Sequence, residues 1–123
     1  MTKPDFKNGL YIIKDYGGRK LELSEKTWNH IIIEKNRSYF ERFFENIVQT
    51  IERPNWVKAS KKEQNVVMYI RRFDDFYIIE SVLGRAYIHI VVNWNTNRIR
   101  TAYPSITPKK GRVLWPKQKS KIK

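Results

Sequence analysis

The stretch that most restricts the fold is Ala86 to Tyr103, AYIHIVVNWNTNRIRTAY. Ala86, Ile88, Ile90, Val92 and Trp94 alternate with Tyr87, His89, Val91 and Asn93. A period of two residues belongs to a β-strand, here with one row on a core and the other on an open face. Asn93 to Asn97 holds three Asn and a Thr, residues that bond their own backbone and tolerate the left-handed conformation, so the chain turns there. The partner strand, Arg98 to Tyr103, is read with Ile99, Thr101 and Tyr103 on one side and Arg98, Arg100 and Ala102 on the other. These two strands form the centre of a sheet.

The rest of the chain is arranged around that centre. Leu10 to Lys14 and Lys20 to Leu23 read as a hairpin turning at Gly17-Gly18. Ser24 then has the place of a helix N-cap, with Glu25 at the positive helix start and Leu23 and Trp28 placed as a hydrophobic staple. Trp28, Ile31 and Ile32 form the buried stripe of this first helix, with His30 and Glu34 one turn apart on its flank. Asn36-Arg37-Ser38 interrupts the pattern, and Ser38 with Glu41 predicts a capping box for a second helix. Its stripe is Phe40, Phe43, Phe44, Ile47, Val48 and Ile51, ending before Pro54.

Strands follow: Asn55 to Ser60, Asn65 to Arg71 and Phe76 to Val82, with polar connections at Lys61 to Gln64 and Arg72 to Asp75 and a separating Leu83-Gly84-Arg85. Helices first and strands after is an α+β arrangement, predicted as an N-terminal hairpin and two helices packed on one face of a twisted antiparallel sheet. One domain is expected over residues 1–104, followed by a basic tail, 105–123, that is irregular except where Val113-Leu114-Trp115 docks back.

Composition narrows the chemistry. The absence of cysteine excludes disulfides and thiolate metal sites, and two histidines make a zinc site a poor expectation. No magnesium-type acidic cluster and no glycine-rich phosphate loop occur, so neither metal nor other cofactor is expected. No apolar run is long enough to cross a bilayer, and MTKPDFKNG lacks the apolar segment of a signal peptide, so the expectation is a soluble chain acting in the cytoplasm without a membrane partner. A net charge of +13 attracts polyanions. Residues 104–123 carry seven basic residues, Lys109 and Lys110 among them, and no acid.

Candidate site residues come from this charge and from the strands. His30 is either a helix histidine bonded to Glu34 or a carbonyl, or a general acid or base. His89, on the predicted open face with Tyr87, is either solvated, or holds a phosphate or serves as the second proton carrier. Arg98 and Arg100, with Tyr69 and Arg71 on a neighbouring strand, offer guanidinium forks and a stacking ring to nucleic acid, or pair with Glu80 or Asp residues. Thr101 and Tyr103 either cap and pack the last strand or orient a scissile phosphate. A base, an acid and positive donors suffice for ribonuclease chemistry without a metal.

KLELSEKTWNHI (Lys20 to Ile31), TIERPNWV (Thr50 to Val57), YIRR (Tyr69 to Arg72) and YIHIVVNWNTNRIRTAY (Tyr87 to Tyr103) resemble, in shared order over roughly residues 10–104, the barnase/EndoU/colicin/RelE-like (BECR) nucleases in their phage and polymorphic-toxin branch. The resemblance implies a metal-independent endoribonuclease of bacterial or phage origin, attacking through the 2′-hydroxyl to leave a 2′,3′-cyclic phosphate. His30 matches the helix-one histidine, Arg71 or Arg72 the basic strand position, and Thr101 and Tyr103 the terminal-strand pair. Where the pattern has Arg-x-His-Pro-Glu between the helices, this chain has Glu34-Lys35-Asn36-Arg37-Ser38. The expected roles are catalytic for His30, Arg71, Arg72, Thr101 and Tyr103, and nucleic-acid binding for Arg98, Arg100, His89, Tyr87, Lys109 and Lys110. The expected partners are RNA and an acidic antitoxin or immunity protein. The alternatives are a non-catalytic nucleic-acid-binding module and a protein-interaction domain whose charge serves solubility.

Overall fold

The computed structural model describes residues 4–34, 42–78 and 81–116. In chain order the elements are β1 (Leu10–Lys14), β2 (Lys20–Ser24), α1 (Glu25–Asn29) running into a π-helical turn (His30–Glu34), α2 (Phe43–Glu52), β3 (Trp56–Ala59), β4 (Val66–Ile78), β5 (Ser81–Asn93), β6 (Arg98–Ser105) and β7 (Val113–Trp115). The sheet has seven strands in the order β1-β2-β6-β5-β4-β3-β7. Every pairing is antiparallel except β2 with β6, which meet in parallel at Glu22 and Arg98. The expected antiparallel sheet is therefore mixed. The hairpin β1-β2 is joined to the meander by a chain that crosses through both helices, and a crossover is what a parallel neighbour requires.

Local chemistry explains the helix starts and turns. Ser24 Oγ accepts the Thr27 N–H at 3.0 Å, as an N-cap should, and the last amide of β2 thus passes directly into α1. At the β5-β6 turn, Asn95 N–H donates to Asn93 Oδ1 at 2.8 Å and Asn97 takes the left-handed conformation with φ 58°. Ser38, Phe40 and Glu41, and with them the predicted capping box, lie outside the described residues.

One apolar cluster fills one side of the sheet. Trp28 and Ile31 of α1 and its extension, and Phe43, Phe44, Ile47 and Ile51 of α2, bury against Ile88, Ile90 and Val92 of β5 and Ile99 and Ala102 of β6. Val57, Val67 and Tyr69 extend the cluster across β3 and β4, and Ile13, Leu21 and Leu23 extend it across the first hairpin. The sheet curls around this core. β1 and β7 end the strand order at opposite sides, yet the ring of Tyr16, just beyond β1, lies 4.4 Å from that of Trp115 in β7.

Three expectations change. Arg72 to Asp75 and Leu83 to Arg85 are not connections: β4 and β5 are continuous 13-residue strands, and register irregularities after Phe73 and Phe76 absorb Asp74-Asp75 and Gly84, whose φ is 85°. The tail is less irregular than expected, because β6 runs to Ser105, while Val113-Leu114-Trp115 docks back as expected, β7 pairing with β3 through Val57–Trp115 and Lys58–Val113. Finally, Ile99 does not share a face with Thr101 and Tyr103. Val92 pairs with Ile99 but Val91 with Thr101, so Arg100 is an extra residue, and this β-bulge turns Ile99 and Ala102 to the core and Thr101 and Tyr103 to the opposite side.

Candidate nucleic-acid interface

The register fixes what the second face of the sheet presents. Trp56, Ile70, His89 and Tyr103 pair in sequence across β3, β4, β5 and β6, and Lys58, Met68, Val91 and Thr101 form the next row. With strands about 4.8 Å apart, each row runs about 14 Å across the sheet. Arg72 and Tyr87 pair in the adjoining row. The Trp56 and Tyr87 rings stack with centroids 6.2 Å apart, and those of His89 and Tyr103 stack at 4.8 Å and 2° between planes. An aromatic surface edged with cations results.

His89 is not the solvated histidine expected of an open face. It is fully buried because the segment after β6, residues 106–112, crosses above it as a strap. Lys109 N–H donates to His89 Nε2 at 3.0 Å, and the other ring nitrogen, Nδ1, lies 3.1 Å from the Tyr87 carbonyl. The accepting Nε2 makes the imidazole neutral with its proton on Nδ1. Burial, reinforced by Lys109 and Lys58, pushes its pKa down to about 4. Lys58 Nζ donates to the Lys109 carbonyl at 2.8 Å and lies 4.9 Å from the centre of the Trp56 ring, and burial holds this ammonium below the usual lysine range. Ala59 N–H donates to the Arg112 carbonyl at 2.8 Å and completes the strap's seating.

The other candidates divide by location. Tyr103 and Thr101 are half-buried on this second face, Tyr87 and Arg72 lie beside them, and Lys109 and Lys110 stand exposed on the strap. Arg72 is held by Asp74, Nε to Oδ1 at 2.8 Å. Arg71, one residue earlier, projects to the core side, where its guanidinium donates to the Arg53 carbonyl at 2.6 Å and lies 5.5 Å from the Phe73 ring. His30, the first residue of the π-helical turn, is partly buried at a groove shared with Lys26, Asn29 and Ile33.

Arg98 and Arg100 were expected to share a face with Tyr69 and Arg71. The bulge ends that alignment, and each arginine is taken by a glutamate: Arg98 by Glu22 at 3.1 Å and Arg100 by Glu63 at 2.7 Å. Tyr69 pairs with Ile90, on the core row, and is fully buried. Its hydroxyl donates to Asp15 Oδ2 at 2.6 Å and accepts the Trp94 indole N–H at 3.1 Å, so burial and the carboxylate drive its pKa far up. Trp56, Lys58 and Met68 were missed as members of the interface. Their alternation with core residues was visible, but only the register places them beside His89. Among the described residues, no three His, Asp or Glu side chains gather as a metal site would need.

A curled mixed sheet backed by two short helices, with a cationic and aromatic second face, is an α+β architecture. The chain matches, over residues 3–120, the family described as phage-Barnase-EndoU-ColicinE5/D-RelE like nuclease2, and it belongs to that family. The family suggests a nuclease with a nucleic-acid substrate. Neither a curated relative nor a solved structure matches the chain. No described helix is long and apolar enough to cross a membrane.

Proposed function

We propose that this protein is a metal-independent endoribonuclease acting as a bacterial or phage-derived toxin in the cytoplasm. The observation that carries the reading is the second sheet face, where the Trp56–Tyr87 and His89–Tyr103 ring pairs lie among Arg72, Lys58 and Lys109. Rings take unpaired bases and cations take phosphates, which is how single-stranded RNA is held. In the reaction the 2′-oxygen bonds to the adjacent phosphorus, the bond from phosphorus to the 5′-oxygen breaks, and one proton passes from the 2′-hydroxyl to a base while an acid protonates the leaving oxygen. Thr101 and Tyr103 orient the phosphate and Arg72 offsets its charge. Arg72 is preferred to Arg71 because it shares their face. His30 keeps the proton-carrier role that the family resemblance implies. A chain of charge +13 would be neutralised best by an acidic antitoxin or immunity protein.

The test is incubation of the purified protein with total RNA in EDTA. Fragments ending in cyclic phosphate, lost in His30→Ala and reduced at least tenfold in Tyr103→Phe, are expected. Cleavage that survives His30→Ala but not His89→Ala would move the proton transfer to the buried ring. The second reading, a binding module without catalysis, is favoured by the engagement of both His89 nitrogens. It predicts intact RNA bound with a steep salt dependence.

A further inference from the structure

Beside the His89–Tyr103 pair lies a cavity of about 370 Å³, between the strap and the connection from β3 to β4. That volume is within the range of about 300–1,000 Å³ for small-molecule sites. Its floor is apolar, made by Val66, Met68 and Val91, and one wall is the Tyr103 ring, braced by the parallel His89 ring. Four lysines stand at the rim: Lys61 and Lys62 on the connection, Lys109 and Lys110 on the strap. The Glu63 carboxylate also lines it, with its charge taken up by Arg100 at 2.7 Å. Ser60 Oγ, which accepts the Lys62 amide at 3.2 Å, adds a second polar group.

We propose that this cavity seats one unpaired base of a single-stranded nucleic acid, with the rim lysines on the phosphates to either side. A flat, largely apolar body suits the Met68, Val91 and Tyr103 surfaces, and its polar edge would meet Ser60 and Glu63 rather than an unsatisfying apolar wall. Cations on two separate segments, one on each side of the opening, suit a backbone that enters and leaves, whereas a free phosphate would need only one of them. A base stacked in a duplex does not reach the floor. The proposal rests on the reading of the protein as one that acts on RNA, and it adds where the strand is gripped.

Met68 gives a direct readout, since the only other methionine is Met1. With the methionine methyls labelled with carbon-13, adenosine and uridine 5′-monophosphates should shift the Met68 signal, while ribose 5-phosphate and inorganic phosphate at the same concentration should not. A Met68 signal unmoved by nucleotides, or moved equally by ribose 5-phosphate, overturns the proposal. Filling the cavity with Val91→Trp should weaken binding of an eight-nucleotide single-stranded RNA about tenfold or more. Heparin binding and the melting temperature serve as controls for charge and fold, and unchanged RNA affinity in a folded Val91→Trp overturns it too. The two readings fail separately. A nucleotide-induced Met68 shift in a protein that never cuts RNA keeps the base seat and removes the nuclease reading, and RNA cleavage without that shift does the reverse.

Discussion

At the residue scale, two buried polar groups carry consequences that exposed charges do not. His89 has a folded-state pKa near 4 against an ordinary 6.5, so on acidification the unfolded chain takes up the proton first. The stabilisation is whole above pH 6.5 and is lost as pH falls towards 4, by about 3 kcal/mol in all. Urea unfolding at pH 7, 5.5 and 4 should show that decline, and His89→Phe, which keeps a ring against Tyr103 but has no proton site, should start less stable and decline less. Tyr69→Phe removes the donor to Asp15 Oδ2 and should cost about 1.5–3 kcal/mol, readable as a lower urea midpoint at unchanged slope. The exposed Arg98–Glu22 and Arg100–Glu63 pairs should matter little. None of this burial was legible from one residue's neighbours in sequence. His89 and Tyr69 each sit in an alternating strand, and which face is wet depends on what crosses it from elsewhere in the chain.

At the element scale, the regular pieces were readable and the irregular ones were not. Ser24 as cap, the first hairpin and the stripe from Phe43 to Ile51 follow from local rules, and the structure contains each. The bulge at Arg100 and the irregularities in β4 and β5 have no such mark, because one extra residue in a strand changes the partner and not the composition. The Pro- and Lys-rich composition of the strap suggested an irregular tail that docks back only at Val113-Leu114-Trp115, and those three apolar residues add a strand beside β3. Gly111 shows how closely it is laid down: a Cβ built there would come 2.5 Å from the Ala59 carbonyl oxygen. Gly111→Ala should therefore push the strap off β3 and cost about 1–3 kcal/mol. Hydrogen exchange is the check, with faster exchange expected at the amides of Ala59 and Lys109 and little change in β1 and β2.

At the scale of the whole molecule, the sheet separates two tasks. The curl encloses an apolar core with the helices on one side, and the second face carries ring pairs and cations. A net charge of +13 by itself predicts only non-specific attraction, which is why composition stopped at polyanions and the family and the register were needed to go further. The two components of RNA binding can be separated by salt. Each phosphate contact to a single strand contributes about 0.7 to the slope of log affinity against log salt. Lys109 holds His89 and Lys58 through its backbone N–H and carbonyl, so its side chain can be changed without unseating the strap. The double substitution Lys109→Gln with Lys110→Gln should accordingly lower the slope for a single-stranded RNA by about 1.4 while leaving the melting temperature nearly unchanged. Trp56→Ala should instead weaken affinity by a similar factor at every salt concentration, because stacking releases no counterions. Fluorescence anisotropy from 50 to 300 mM salt distinguishes them. An unchanged slope in the lysine pair would take the strap out of the phosphate path, and a salt-dependent loss in Trp56→Ala would mean that its ring serves Lys58 rather than a base.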